Sequence, residues 1–195
     1  MKLIIASNNA HKIYEIKKIL SGKFDEIISL REAGISHETV EDGNTFIENA
    51  LKKAREICEI SGDCALADDS GICVDALDGA PGIYSARFAG DYTGNAPDEA
   101  NNALLLEKLR DKSDRSAHYT SAIALVYPTG REVVAEGYMY GKIIDTPRGT
   151  RGFGYDPLFV SSIGCFGELT DSEKDSVSHR GNALRKFTEE IGKYI

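Results

Sequence analysis

The stretch ALADDSGICVDALDGAPGIYSARFAG, residues 65–90, limits what this chain can become more than any other. A short apolar run, Ala65–Ala67, leads directly into two adjacent acids, Asp68 and Asp69, followed by Ser70 and Gly71. An ionised carboxylate resists leaving water, so an apolar strand does not run into paired acids without compensation. Acids at the end of a strand are well placed to hold a hard cation at the mouth of a cleft. Gly79, Pro81, Gly82 and Gly90 follow, with Arg87 beside Phe88, which is much fixed geometry for one loop. The pattern predicts a strand that ends on the acidic pair, and chemistry that uses a metal.

At 195 residues the chain can bury one substantial core, as a single domain over 1–195 or one domain with two lobes. A net charge of −8 argues against non-specific nucleic-acid binding, which needs cationic surface, but not against a nucleotide held by a few local cations. No apolar run has the length of a membrane span, and Met1-Lys2 leads straight into LIIA, so neither anchor nor leader is expected. Cys58, Cys64, Cys73 and Cys165 are far apart and form no C-x-x-C; they read as reduced thiols of a cytoplasmic protein rather than a disulfide frame or zinc site.

The chain opens with a strand expected over Lys2–Ala6, and Ile13, Ile16, Ile19 and Leu20 then repeat at helical spacing up to Gly22. Ile27–Leu30 reads as a second strand and Ala65–Ala67 as a third. Thr45 with Glu48 forms a capping box for a helix over Phe46–Ser61, and Thr170 with Glu173 forms another. Pro97–Leu109 reads as a helix with Pro97 near its first turn. Ala117–Tyr127 and Glu132–Ile144 are β-rich around Pro128-Thr129-Gly130, which predicts a hairpin. A last helix is expected over His179–Tyr194. Helices alternating with strands, then a hairpin, predict an α/β fold on a mixed sheet.

Five further blocks carry candidate chemistry. Ser7-Asn8-Asn9-Ala10-His11-Lys12 joins the first strand to the first helix, where backbone N–H groups attract anions; a plain capped helix start is the alternative. The acidic loop around Glu41 precedes the Thr45 cap and offers a carboxylate to join Asp69 on a metal, or merely a solvated loop. Asn49 and Lys53, four apart, share a helix face that reaches a cleft or stays an ordinary Glu–Lys surface. Arg148–Pro157 is glycine-rich with Phe153 and Tyr155, able to stack on a planar base or to fold into the core. Lys174, His179 and Arg180 form a cationic group near the last helix. With no G-x-S-x-G and no cysteine in a nucleophile setting, carboxylates, a metal and water remain.

Taken in order, SNNAHK (7–12), GNTFIENALKKA (43–54), the 65–90 stretch, GFGYDPLF (152–159) and EKDSVSHRGNAL (173–184) closely resemble the inosine triphosphate pyrophosphatase family. The resemblance implies an elongated, twisted mixed sheet flanked by helices, in two lobes around a central cleft. It also implies Mg²⁺-dependent hydrolysis of ITP, dITP and XTP to the monophosphate and pyrophosphate, by a homodimer. Residue by residue, it assigns phosphate binding to Ser7, Asn8, Asn9, Ala10, His11 and Lys12, with Lys53 neutralising phosphate. Asp69 acts at the metal and activates water, Asp68 and Glu41 complete the ligands, and Ser70 touches substrate. Phe153, Gly154, Tyr155, Asp156, Lys174, His179 and Arg180 form the nucleoside pocket. Many relatives carry the second metal-binding Glu where this chain has Val40, which leaves Glu41 as the nearest candidate.

A pocket offering donors suits the 6-oxo group of hypoxanthine and xanthine and leaves those donors unpaired against adenine, at a cost of about 1–3 kcal/mol each. The rivals are a Maf-like pyrophosphatase with other base preferences and a nucleotide sensor that binds without cleaving.

Overall fold

The computed structural model describes residues 1–90 and 94–192. The strands are β1 (Lys2–Ile5), β2 (Glu26–Ser29), β3 (Cys64–Val74), β4 (Ser116–Val126), β5 (Glu132–Ile143), β6 (Phe159–Ser161) and β7 (Gly164–Cys165). They form one seven-stranded sheet in the order β2-β1-β3-β4-β5-β6-β7. β1 pairs in parallel with β2 and β3, whereas β6 pairs antiparallel with β5 and β7, so the sheet is mixed. The helices are α1 (Ala10–Ile19), α2 (Phe46–Ser61), α3 (Asp98–Lys108), α4 (Asp171–Val177) and α5 (His179–Gly192). An α/β architecture with helices flanking a mixed sheet was the expectation, and it holds.

Local chemistry sets the helix starts. Asn9 caps α1 by accepting from the N–H groups of His11 and Lys12. Thr45 accepts from Glu48 N–H at the start of α2, while the Glu48 carboxylate reaches Asn44 N–H rather than the cap residue itself. Thr170 and Glu173 form the full reciprocal box on α4. Pro97 occupies the cap position of α3 instead of its first turn. The capping box at Thr170 and the expected start of the last helix at His179 both hold: Ser178 caps the end of α4 and takes extended backbone before α5 begins. The expected end of α5 at Tyr194 lies outside the described residues.

The third strand is the main correction. It does not stop at Ala67 but runs on through Asp68, Asp69, Ser70 and Gly71 to Val74, and nine of its eleven residues are buried. A strand covered on both faces reads as a continuous apolar run. Here two acids sit inside one, because the groups described below neutralise them.

The chain divides into two compact units: Met1–Asp69 with Ser121–Gly137 and Arg180–Ile195, and Ser70–Thr120 with Tyr138–His179. The first has a core in which Leu3, Ile5 and Leu66 of the sheet pack with Ile16 and Leu20 of the α1 region and Leu184 and Phe187 of α5. The core of the second packs Ile72, Val74 and Tyr119 with Leu105, Leu158, Phe159 and Phe166. In that unit Gly71 is a glycine for lack of room: a Cβ there would lie 2.4 Å from both the Gly82 carbonyl and Ser85 Oγ. Ser85 Oγ accepts from Ile72 N–H at 2.9 Å and donates to the Gly82 carbonyl at 2.6 Å, which seats the PGIYSARFAG stretch against β3.

Candidate active site

Successive strand residues point to opposite faces of a sheet. That alternation separates Asp68 from Asp69 although they are neighbours in sequence. Asp68 is fully buried and meets cations from α1 and α5. Its Oδ1 lies 2.7 Å from Lys12 Nζ, and its Oδ2 accepts from Arg180 Nε at 3.1 Å and from Ser121 Oγ at 2.6 Å. Arg180, 1% exposed, is held on its other side by Glu15 Oε2 at 2.5 Å. Burial alone would raise the Asp68 pKa, but Arg180 and Lys12 outweigh it and hold the carboxyl well below the usual range.

Asp69 meets α2 instead. Its Oδ2 accepts from Asn49 Nδ2 at 3.1 Å, and its Oδ1 lies 3.4 Å from Lys53 Nζ. Lys53 Nζ also contacts Glu41 Oε1 at 2.9 Å and donates to the Asp68 carbonyl at 3.0 Å. Asn49 is buried and uses its oxygen to accept from Gly43 N–H at 2.8 Å, tying the acidic loop to the helix. In that loop Val40 is 70% exposed while the Glu41 carboxylate meets Lys53. Desolvation raises the Asp69 pKa; Lys53 and Lys12 oppose it, and the Glu41 charge adds to it. Two adjacent acids are therefore shifted in opposite directions.

A second polar cluster lies in the second unit. Asp156, 2% exposed, is bound through Oδ2 by Lys174 Nζ at 2.5 Å and by Phe153 N–H at 2.9 Å, and through Oδ1 by the Tyr119 hydroxyl at 3.3 Å. Lys174 Nζ lies 4.6 Å from the centroid of the Phe153 ring and 5.7 Å from that of Phe166. Tyr119 stacks on His179 with centroids 4.6 Å apart and planes 11° from parallel. The Tyr155 ring is buried, with its hydroxyl donating to the Ser85 carbonyl at 2.8 Å.

The sequence-predicted residues thus fall into two sets. Lys12, Lys53, Glu41, Asp68, Asp69 and Arg180 converge in the first unit; Phe153, Gly154, Tyr155, Asp156, Lys174 and His179 converge in the second. The guanidinium of Arg180, expected in the nucleoside group, is paired with Asp68 and Glu15. Ser7 accepts from Asn9 N–H in the turn before α1, where Asn8, Asn9, Ala10 and His11 are exposed. Ser70 sits half-buried in β3, in the second unit. Sequence reading missed Glu15, Ser121 and Tyr119. Glu15 was findable, since it follows Lys12 by one helical turn; Ser121 and Tyr119 arrive on β4 from more than fifty and more than thirty positions away and carry no local signal.

Fold and clusters together define an α/β protein with a buried carboxylate–lysine site on one sheet. Residues 3–190 match the model of the Ham1 family, and the chain belongs to that family. It is 48% identical to the dITP/XTP pyrophosphatase of Clostridium perfringens over 97% of both chains. Among solved structures, a HAM1 protein from Coxiella burnetii superimposes with a TM-score of 0.89 at 36% identity over 99% of both chains. A nucleoside-triphosphatase / dITP/XTP pyrophosphatase from Mycobacterium abscessus superimposes with a TM-score of 0.78 at 45% identity, over 95% of this chain and 98% of that one.

Proposed function

We propose that the protein hydrolyses the non-canonical purine triphosphates ITP, dITP and XTP to the nucleoside monophosphate and pyrophosphate. The observation that carries this reading is the grouping of the buried Asp69 and Asn49 with the half-buried Lys53 and Glu41, in a chain whose relatives bear the name dITP/XTP pyrophosphatase.

The residues present fit a hard divalent cation. Asp69 and Glu41 converge on one ammonium, at 3.4 and 2.9 Å, so their oxygens already surround a cation-sized charge. We assign Mg²⁺ to these two carboxylates. Bound there, Mg²⁺ would offset phosphate charge and polarise a phosphoryl oxygen. Asp68, counted as a ligand on sequence, points to the other face with both oxygens engaged. We assign it instead to fixing Lys12 and Arg180.

Asp69 is the base of this mechanism. Its ionised carboxylate accepts the proton of an attacking water. Asn49 holds one of its oxygens and thereby its orientation. Lys53 and Lys12 counter the charge of the phosphates, for which positioning and charge stabilisation are the main demands. In the second cluster, Phe153 offers a ring face to a purine, and Lys174 and His179 offer polar hydrogens to a 6-oxo group.

We read residues 1–195 as one catalytic domain, since β3, β4 and β5 each run through both units. The resemblance adds a homodimer in the cytoplasm; the four free thiols fit a reducing compartment. No helix among the described residues is long and apolar enough to cross a membrane.

The test is pyrophosphate release from a panel of triphosphates, with and without EDTA. ITP, dITP and XTP are expected far ahead of ATP, dTTP, UTP and CTP, with activity lost in EDTA. Preference for pyrimidines would favour a Maf-like enzyme, and tight ITP binding without cleavage a sensor.

A further inference from the structure

Helix α3 has no part in the chemistry above, yet three of its polar side chains bind backbone outside the helix. Asn101, 2% exposed, accepts from Ala89 N–H at 2.8 Å and donates to the carbonyls of Ala86 and Ala96 at 3.2 and 3.3 Å. These bonds fix α3 to the PGIYSARFAG stretch. Asp98 and Asn102 stand four residues apart and share another face. Gly154 N–H donates to Asp98 Oδ2 at 2.6 Å, and Asn102 Nδ2 donates to the Gly154 carbonyl at 3.1 Å. Both backbone polar groups of one residue are thus held by one helix face.

That residue is the pivot of its loop. Gly154 has φ +63°, in the left-handed region that side-chain-bearing residues rarely adopt, and a Cβ would meet nothing there within 4 Å. The glycine therefore serves conformation rather than close packing. On one side stands Phe153 with its ring over Lys174; on the other, Tyr155 is tied to Ser85.

We propose that Asp98 and Asn102 are positioning residues of the purine site: by holding the N–H and C=O of Gly154 they fix the plane that Phe153 presents to a base. The assignment rests on reading Phe153–Asp156 as the nucleoside side of the site. A loop ordered beforehand spares the cost of ordering it when ligand arrives, so the clamp acts on affinity for the nucleoside and not on bond cleavage. It also gives the 82–90 stretch a purpose, as the mount on which the clamping helix sits.

The test compares wild type with D98A, D98N and N102A. ITP turnover is measured alongside calorimetric binding of inosine monophosphate and of inorganic pyrophosphate, all in Mg²⁺. D98A and N102A are expected to raise the KM for ITP and weaken inosine monophosphate about tenfold, as loss of one charge-assisted or buried hydrogen bond does. kcat should stay within about twofold and pyrophosphate binding should not move. D98N keeps an oxygen acceptor, though not its charge, and should recover most of the loss seen in D98A. Asp98 is exposed, so its variants test the clamp without disturbing a core. Unaltered inosine monophosphate binding in D98A, or equal loss of both ligands, overturns the proposal. So does a D98N variant as weak as D98A, which would point to charge and not to the hydrogen bond. A wild type that cleaves no purine triphosphate overturns the functional reading itself, whereas normal wild-type turnover with unaltered variants overturns the clamp alone.

Discussion

The two polar clusters neutralise buried charge in different ways. In the first unit, acids and cations alternate through Glu15, Arg180, Asp68 and Lys12 on one face of β3, and through Glu41, Lys53 and Asp69 on the other. In the second, one ion pair, Asp156–Lys174, sits among the rings of Phe153, Phe166 and Tyr119. Many exchangeable charges suit a polyanion, whose own charges can replace the internal ones. Rings with a few directional groups suit a planar base. Within the first cluster the same contrast recurs between neighbours: Asp68 is saturated by cations and Asp69 only partly so.

The largest expected effect comes from Asp69. Asp69→Asn should lower pyrophosphate release from ITP by about two to four orders of magnitude, the usual contribution of a positioned general base. Its thermal midpoint should stay near that of wild type, since the amide relieves the Glu41–Asp69 repulsion as it weakens the Lys53 pairing. Wild-type turnover in this variant removes Asp69 from the mechanism.

Asp68→Asn should instead show itself in stability. It leaves the buried Arg180 and Lys12 short of a countercharge, and breaking a buried pair in this way costs about 3–5 kcal/mol. Urea denaturation gives the number, and a loss below about 1 kcal/mol would place the pair in the exposed class. The pH sign follows. The folded pKa of Asp68 is depressed from 3.8, so its contribution is present above that value and is lost as pH falls toward the lower folded one. The mutant should lack that part of the acid transition.

Tyr119→Phe comes next and probes the second cluster. It keeps the stack on His179 but removes the hydroxyl that reaches Asp156 at 3.3 Å. A loss of about 1 kcal/mol, some fivefold in KM for ITP with kcat retained, is expected. A fall in kcat alone would assign Tyr119 to the reaction step and not to the base.

Much of this was legible in the chain because it is local. The cap at Thr45, the helix over 46–61 and the turn at Pro128–Gly130 all follow from spacing within one element or loop, whereas the roles of Asp69, Lys53 and Lys174 came from the family resemblance. The extent of β3 was not, because whether an acid can stay inside a strand depends on cations contributed by α1, α2 and α5. For the same reason Asp68 read as a metal ligand: its partner Arg180 is 112 positions away. Asp98 and Asn102 looked like an ordinary helix start, since nothing near them in sequence reveals Gly154 as their partner.

The smallest effect sharpens the contrast between buried and exposed acids. Glu32 accepts from Lys17 Nζ at 2.7 Å, from Ser29 N–H at 2.7 Å and from Ser29 Oγ at 2.7 Å. Led by the Lys17 hydrogen bond, these donors lower its pKa from 4.5 to about 2, the same direction as Asp68. Its contribution to stability is therefore complete above pH 4.5 and is lost as pH falls through about 2. Unlike Asp68 it stays in water, where competing solvent and salt weaken each of these contacts. A carboxyl-carbon NMR titration should give a midpoint near 2 for Glu32 at low salt, moving toward 4.5 as salt is added. Asp68, shielded from solvent, should not respond to salt. A Glu32 midpoint of 4.5 at low salt would mean that three donors on an exposed acid do not hold it, and that the charges of Arg180 and Lys12, not the number of donors, set the shift at Asp68.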